Sequence, residues 1–393
     1  MRVTHIITRL VIGGAQENTL ATIRGLREKF GVEVKLISGP TMGPEGSLEK
    51  TAQNIFENSA ADFTLVPELV RPVHPLKDFI ALRKLEKILR AQKPDLVHTH
   101  SGKAGILGRI AAKRAGVPVI IHHIHGPSFG KFQGAPANFI FNAAEKYAAK
   151  VTDHFFCSAS AMTKLYLAAG IGQPDRFTRI FSGFDLQPYL NATNDLPLRQ
   201  QLGLDESHFV IGKVSRLFKL KGHADLLNAF AKILPQVPHA RLLFVGDGAL
   251  RGEIEKQACE LNVRDKIIFT GLVAPSEVAR YVGIMDCLAH LSYREALSRA
   301  LPQALAAGKP VIAYDFDGAD EICLENETGF LIRTGDIETA AQKLLQLAKD
   351  FVLRKKFGER GQQFVMENFS VEKMAADQYT VYQKLAAERG IRA

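Results

Sequence analysis

The chain is most easily bounded by what it lacks. Its 393 residues contain no apolar run of about 18 residues or more, so no transmembrane helix is expected. The opening MRVTHIITRLVIGG has only a short apolar stretch, broken by Thr4, His5, Thr8 and Arg9; it reads as a first core strand and not as a signal peptide. The four cysteines (Cys157, Cys259, Cys287 and Cys323) lie far apart with no CxxC pair, which argues for reduced packed thiols over a disulfide frame or a zinc site. Both features point to the cytoplasm. No GxGxxG fingerprint follows any strand and no HEXXH occurs, so neither a nicotinamide dinucleotide site nor a zincin site is expected. There is also no short internal repeat and no low-complexity tract.

What is present is a two-domain quantity of ordinary globular sequence. A single core stops growing at about 250–300 residues, so this length implies two domains. The formal charge of +9 is unevenly placed. Residues 1–190 hold 24 Lys and Arg against 15 Asp and Glu, whereas residues 191–393 hold 26 of each. Residues 101–150 carry seven bases and one acid, Glu145. Such a one-sided field attracts polyanions, among them anionic headgroups and lipid phosphates, unless these are merely solvated surface cations. The bases are not interleaved with aromatics, which argues against nucleic acid.

The periodicity alternates strand and helix. Strands are expected at 2–8, 32–38, 95–100, 117–125 and 154–160, with helices near 15–29, 76–93 and 103–115. A second series places strands at 209–216, 241–248, 266–271, 286–292, 309–314 and 329–333, with a helix at 224–234. Alternation of this kind implies parallel sheets with right-handed crossovers, hence an α/β protein of two doubly wound domains facing a cleft. The boundaries expected are 1–190, 191–370 and a last helical segment, 371–393, returning to the first domain. The polar stretch 186–200 is expected as a linker. Ligands of such sheets sit at the carboxyl ends of the strands.

The candidate functional residues cluster at those ends. Gly13 and Gly14 stand between a strand and a helix, where backbone can approach phosphate, or where a plain tight turn is all that is needed. Arg216 and Lys221, with Lys219 near, follow the first strand of the second half and suit a diphosphate leaving group, a role a divalent metal fills elsewhere; exposed loop cations would look alike. In SYREALSRALPQALAAGKPVIAYDFDGADEI (292–322) the carboxylate of Glu295 could accept from sugar hydroxyls, or pair with Arg294 or Arg299. A helix is expected at 298–307, so the N–H groups of Leu297, Ser298 and Arg299 would face phosphate, and Gln303 one turn on could reach a ribose. The histidines crowd two strand ends: His98 and His100 flank Thr99, and His122, His123 and His125 crowd the next. They raise a zinc hypothesis, but no acid lies in either triplet, and no metal is expected. Period-two alternation puts His123 and His125 on one face and His122 on the other. The bases Lys103, Arg109, Lys113 and Arg114, with Lys131, follow the His98 and His100 strand.

Six segments together resemble the retaining GT-B glycosyltransferases of family 4, most closely the branch that builds capsular and other exopolysaccharides. They are GGAQ (13–16), HGPSF (125–129), SRLFKLKG (215–222), GDG (246–248), FTGLV (269–273) and REALSRALPQALAAGKPVIA (294–313). The resemblance covers nearly the whole chain in order. It implies that Glu295, first position of the family's E-x7-E motif, contacts the transferred sugar, and that Gln303, at the second, takes the ribose. It implies Arg216 and Lys221 on the diphosphate, Gly13 and Gly14 as the glycine loop, the base held near Val273, and His125 beside the donor sugar. The first domain takes the acceptor in this family, which gives His98, His100, Lys103 and Arg109 as acceptor-side residues; a cationic lip there would suit a polyprenyl-diphosphate acceptor or an anionic bilayer, at about 1 kcal/mol per surface cation. Three departures stand out: Gln303 replaces a carboxylate, Ala296-Leu297-Ser298 follows Glu295 where the family often has Gly-Phe-Gly or Gly-Leu-Pro, and Ser182-Gly183-Phe184-Asp185 replaces an interdomain Asn-Gly-Ile-Asp.

The function expected is retaining transfer of a sugar from a nucleotide-diphosphate sugar, by family habit a UDP-sugar, to a glycan or lipid-linked acceptor in cell-surface polysaccharide synthesis. No cofactor and no nucleic-acid partner are expected. The protein would sit in the cytoplasm, peripheral to the inner face of the plasma membrane. Two alternatives are a nucleotide-sugar 2-epimerase of the same fold and a non-catalytic binding homologue.

Overall fold

The structure, a computed structural model, describes residues 1–41, 46–57, 59–130 and 133–391; Lys131 lies outside the described residues. The chain divides into two compact units, Met1–Phe184 with Val371–Ala393, and Asp185–Ser370.

The first unit carries seven strands: β1 (Arg2–Ile7), β2 (Glu33–Ser38), β3 (Phe63–Leu65), β4 (Leu96–His100), β5 (Val119–Ile124), β6 (His154–Cys157) and β7 (Phe177–Arg179). Between them run α1 (Gly14–Phe30), α2 (Glu49–Ile55), α3 (Pro75–Gln92), α4 (Gly102–Ala115), α5 (Ala135–Ala149) and α6 (Ser160–Ala168). The order across the sheet is β3-β2-β1-β4-β5-β6-β7, and every pairing is parallel. It reverses between β1 and β4, which makes their carboxyl ends the crevice where such sheets bind ligands. The central strands are buried on both faces, so they read as continuous apolar runs: all of β4 and β5 is buried. The edge strands β3 and β7, three residues each, are too short to show a period and were not foreseen.

The second unit repeats the plan with β8 (Phe209–Val214), β9 (Ala240–Val245), β10 (Ile267–Phe269), β11 (Cys287–His290), β12 (Val311–Tyr314) and β13 (Gly329–Ile332). Its helices are α7 (Gln187–Leu190), α8 (Leu196–Gln201), α9 (His223–Ile233), α10 (Arg251–Glu260), α11 (Val278–Gly283), α12 (Ala300–Ala306), α13 (Ile337–Lys349) and α14 (Phe351–Asn368). The parallel order β10-β9-β8-β11-β12-β13 reverses between β8 and β11. The core is built by Ile211, Leu242 and Phe244 from the strands against Leu226, Phe230 and Leu344 from α9 and α13.

The stretch 186–200 is not a free linker. Asp195 caps α8 by accepting from Leu198 N at 2.9 Å. Arg199, 4% exposed, donates to the carbonyls of Asp205 (2.7 Å), His208 (2.8 Å) and Ile284 (3.1 Å), which ties the segment into the second unit. Its polar residues are caps and buried donors, which a search for apolar periodicity passes over.

The chain then returns to the first unit as α15 (Val371–Glu388), whose Val371, Met374 and Tyr382 join the core cluster of Leu20, Ile23 and Leu26. The close approach needs glycine at position 25 of α1: a Cβ there would stand 2.7 Å from Ala375 Cβ. Among the described residues no helix is long and apolar enough to cross a membrane.

Candidate active site

In the second unit the loops leaving β8 and β11, neighbours at the strand-order reversal, bring Lys221 and Glu295 together. The Lys221 ammonium donates to Glu295 Oε1. The loop can place it there because Gly222 sits in the left-handed region (φ +67°) against strand β11's exit: a Cβ would fall 1.6 Å from the Leu291 carbonyl oxygen. Glu295 is fixed from two further sides. Its Oε1 lies 3.3 Å from His290 Nε2, and its backbone N–H donates to Asp317 Oδ2 at 2.8 Å. Ser292 Oγ donates to the Leu220 carbonyl at 3.0 Å, tying the two loops. Burial pushes the Glu295 carboxyl up, but His290 and Lys221 outweigh it and hold it down at about 2. The recess beside Glu295, lined also by Ser298, Tyr314, Phe316 and Ala319, measures about 10 Å³, room for about one water, so a sugar there must displace side chains.

Below this pair is a layer the sequence reading missed. Lys213, on β8, is 1% exposed and its Nζ has no hydrogen-bond partner. Burial, then the field of Lys221, brings its ammonium down to about 7. His223, the first residue of α9, lies with its Nε2 3.1 Å from Ser215 Oγ, and burial followed by Lys213 holds its ring down at about 2. His290 is lowered too, by burial first. The inner nitrogens His223 Nδ1 and His290 Nδ1 are unpartnered. Asp225 in the first turn of α9 accepts from both Tyr293 and Tyr314, each at 2.5 Å; this bond raises the Tyr293 phenol above its ordinary range, and burial followed by the bond raises that of Tyr314. The only foreshadowing was a polar lysine inside an otherwise apolar strand, FVIGKV. A larger hollow of about 290 Å³ opens beside Lys219, Leu220, Asp225 and Tyr293.

The remaining donor-side candidates are placed as follows. Arg216 is exposed, its guanidinium 5.1 Å above the Phe218 ring. The helix after Glu295 begins at Ala300, later than expected; Leu297, Ser298 and Arg299 form the loop before it, with Ser298 buried, and Gln303 is half-buried in the first turn. The start of this loop is held by side-chain bonds: Ser292 Oγ donates to the Arg294 carbonyl at 3.2 Å, and Asp317 accepts from the Glu295 N–H. Val273 is half-buried, two residues past the Gly246–Gly271 bridge.

In the first unit, Gly13 precedes α1 and Gly14 opens it; Gly13 is extended (φ 171°), a conformation any residue adopts. The histidines differ in exposure. His125 is half-buried and its Nε2 lies 3.0 Å from His100 Nδ1. His98 and His100 are completely buried, with His5 and His123, and cannot touch an acceptor as expected: β4 is a central strand covered on both faces. Arg109 is not a surface cation either. It is fully buried on the inner face of α4, donating to Glu145 Oε2 (2.6 Å), the Gly105 carbonyl (2.7 Å) and Thr152 Oγ1 (3.3 Å), and forms no surface lip. Lys103 is half-buried and paired with Asp78 at 2.6 Å. Lys113 and Arg114 are exposed but in the last turn of α4, about 16 Å along the helix from Lys103 and toward the amino ends of the strands. His5, His98 and His100, and His100, His123 and His125, each bring ring nitrogens within 4.8 Å of one another. The contacts along His5, His100 and His125 are 2.9 and 3.0 Å, hydrogen-bond distances between ring nitrogens.

Two family models match the two halves of the chain: a glycosyl transferase 4-like domain over residues 13–182 and glycosyl transferases group 1 over residues 195–364. The chain is 30% identical, over 90% of its length and 89% of the relative's, to the UDP-Gal:alpha-D-GlcNAc-diphosphoundecaprenol alpha-1,3-galactosyltransferase of Escherichia coli. The chain is a family 4 glycosyltransferase. This glycosyltransferase is also 24% identical, over 76% of its length and 79% of the relative's, to the capsular polysaccharide biosynthesis glycosyltransferase CapM of Staphylococcus aureus. Among solved structures, HepE of Anabaena in complex with UDP superposes with a TM-score of 0.82 at 23% identity, covering 98% of this chain and all of that one. The lipopolysaccharide glycosyltransferase WaaG gives 0.73 at 16% identity, over 97% and 99%. The two parallel sheets of seven and six strands are thus those of the GT-B fold. As a group 1 glycosyltransferase it uses a nucleotide-sugar donor.

Proposed function

We propose that this glycosyltransferase moves a hexose, with retention at the anomeric carbon, from a UDP-sugar to a polyprenyl-diphosphate-linked glycan during synthesis of a cell-surface polysaccharide. The observation that carries the reading is Lys221 held against Glu295 at the strand-order reversal of the second unit, above the buried Lys213. A diphosphate entering there offers Lys221 a second anionic partner and frees the Glu295 carboxylate to accept from sugar hydroxyls. Lys221, Arg216 and Lys213 then stabilise the charge that grows on the leaving diphosphate, the work a divalent ion does elsewhere, so no metal is required. The N–H groups of Leu297, Ser298 and Arg299 add donors on the same side, Gln303 takes the ribose and Val273 packs on the base. The leaving phosphate oxygen is the base that takes the acceptor proton on the same face.

Within the first unit we assign His125 to a sugar contact, the Gly13–Gly14 turn to phosphate, and the unit itself to the acceptor. Uridine and a polyprenyl diphosphate are chosen because the relative from Escherichia coli is named for both. Membrane attachment is supported by α5, where Phe139, Ile140 and Tyr147 are 75%, 62% and 59% exposed beside Lys146 and Lys150. Aromatic and aliphatic side chains next to cations suit an anionic bilayer interface. We assign the protein to the inner face of the plasma membrane on this ground.

The test is a thermal-shift screen of UDP-, GDP- and dTDP-sugars, followed by transfer from the stabilising donor to a polyprenyl-diphosphate sugar. NMR of the product should show the anomeric configuration of the donor. Stabilisation by no UDP-sugar, or an inverted product, would refute the reading.

A further inference from the structure

His5 on β1, His100 on β4 and His125 just past β5 form one hydrogen-bonded row: His5 Nδ1 to His100 Nε2 at 2.9 Å, and His100 Nδ1 to His125 Nε2 at 3.0 Å. The parallel register makes the row possible, because it sets His5 beside His98 and His100 beside His123. His5 and His100 are 0% exposed. Burial brings His5 and His125 down to about 3 and His100 well below the usual histidine range, so all three rings are neutral. A neutral imidazole has one N–H and one lone pair. Both nitrogens of His100 are engaged, so the three proton positions are coupled and only two settings preserve both bonds.

In the first setting every ring carries its proton on Nδ1: His5 donates to His100, His100 donates to His125, and His125 turns an Nδ1–H outward. In the second every ring carries it on Nε2, and His125 turns a bare lone pair outward. The inner end of the row decides between them. His5 Nε2 is buried and has no partner. The first setting leaves an unused lone pair there; the second leaves a buried N–H without an acceptor, the rarer and costlier orphan. We propose that His5 and His100 lock the tautomer of His125 with its proton on Nδ1, so that His125 meets its ligand as a hydrogen-bond donor and not as a base. The row ends at His5 Nε2, so it cannot pass a proton onward: His100 is a positioning residue, not part of a proton conduit. The consequence for turnover rests on the reading of His125 as a contact to the donor sugar; the tautomer itself does not.

The experiment is a long-range proton–nitrogen correlation spectrum of the full chain labelled with nitrogen-15 histidine, His125 being identified by its loss in His125→Gln. The expected pattern is Nδ1–H for His125. In His100→Leu, which fills the space without a donor, His125 should shift toward Nε2–H, and kcat should fall about tenfold with little change in donor KM. His100→Asn, whose amide overlays the Nδ1 position, should keep the Nδ1–H pattern and recover most of the rate. Nε2–H in the unaltered protein, the same tautomer in His100→Leu, or zinc bound stoichiometrically to this row would each overturn the lock. If His100→Leu does not fold, the spectra of the unaltered protein and His100→Asn still decide. A normal rate in His125→Gln alongside an Nδ1–H spectrum supports the lock while removing His125 from the sugar site.

Discussion

Lys221 and Glu295, 74 positions apart, meet at the ends of adjacent strands, and the same Glu295 oxygen lies 3.3 Å from His290 Nε2. That arrangement has a signature in acid. The folded-state carboxyl of Glu295 sits at about 2, below the unfolded value of about 4.3. A depressed carboxyl contributes stability that is present above the unfolded value and is lost as pH falls toward the folded one. The stability difference between the protein and its Glu295→Gln variant should therefore be largest near neutrality and shrink between about pH 4.3 and 2. Chemical denaturation at a series of pH values measures it; a constant difference would mean that Glu295 is not held by Lys221 and His290.

Lys213 should behave in the opposite range. Its folded value of about 7 lies below the unfolded value of about 10.4, so between them the unfolded chain binds more protons and stability rises with pH. Lys213→Met, which keeps volume and removes the charge, should raise Tm at pH 7 by a few degrees, and that advantage should fade toward pH 10. The same variant should bind nucleoside diphosphate more weakly. Calorimetry of UDP binding at pH 8 in buffers of different ionisation enthalpy should show proton uptake in the unaltered protein and less in the variant.

Arg109 and Glu145, both 0% exposed, pair at 2.6 Å. Removing one partner leaves a buried charge alone, at a cost of about 3–5 kcal/mol. Glu145→Ala should lose stability on that scale in denaturant titration while donor affinity of the folded fraction stays unchanged. A loss below about 1 kcal/mol would show that the pair is relieved by solvent.

The exposed face of α5 gives a test of attachment. Phe139→Ser with Ile140→Ser should reduce co-sedimentation with phosphatidylglycerol vesicles severalfold and leave turnover of a water-soluble acceptor analogue intact. Equal sedimentation of both forms would take α5 out of the membrane contact.

How much of this was readable in advance follows from what each residue does. The central strands could be read because burial on both faces makes them apolar runs, as in Val210-Ile211 and Leu242-Leu243-Phe244. The placement of Glu295, Lys221 and Arg216 in the loops after β11 and β8 could be read because each follows an apolar run. Arg109 could not: a basic residue on an amphipathic helix looks solvated, and only the fold brings Glu145 to it from α5. His98 and His100 misled for a related reason. Histidine alternates with threonine as a surface strand would, yet β4 lies in mid-sheet, where Tyr382 approaches His98 Nδ1 at 2.5 Å. Lys213 escaped notice because its significance depends on Lys221, His223 and His290, which converge only in three dimensions.

The most direct test of the central claim, that the strand-end cations and Glu295 of the second unit hold the sugar nucleotide during transfer, is single-turnover transfer from the stabilising UDP-sugar by Glu295→Ala and Lys221→Ala, each verified as folded by circular dichroism. Each variant should be slower by about 10²–10³-fold, with weaker UDP binding for Lys221→Ala. Undiminished transfer by both variants would contradict the account.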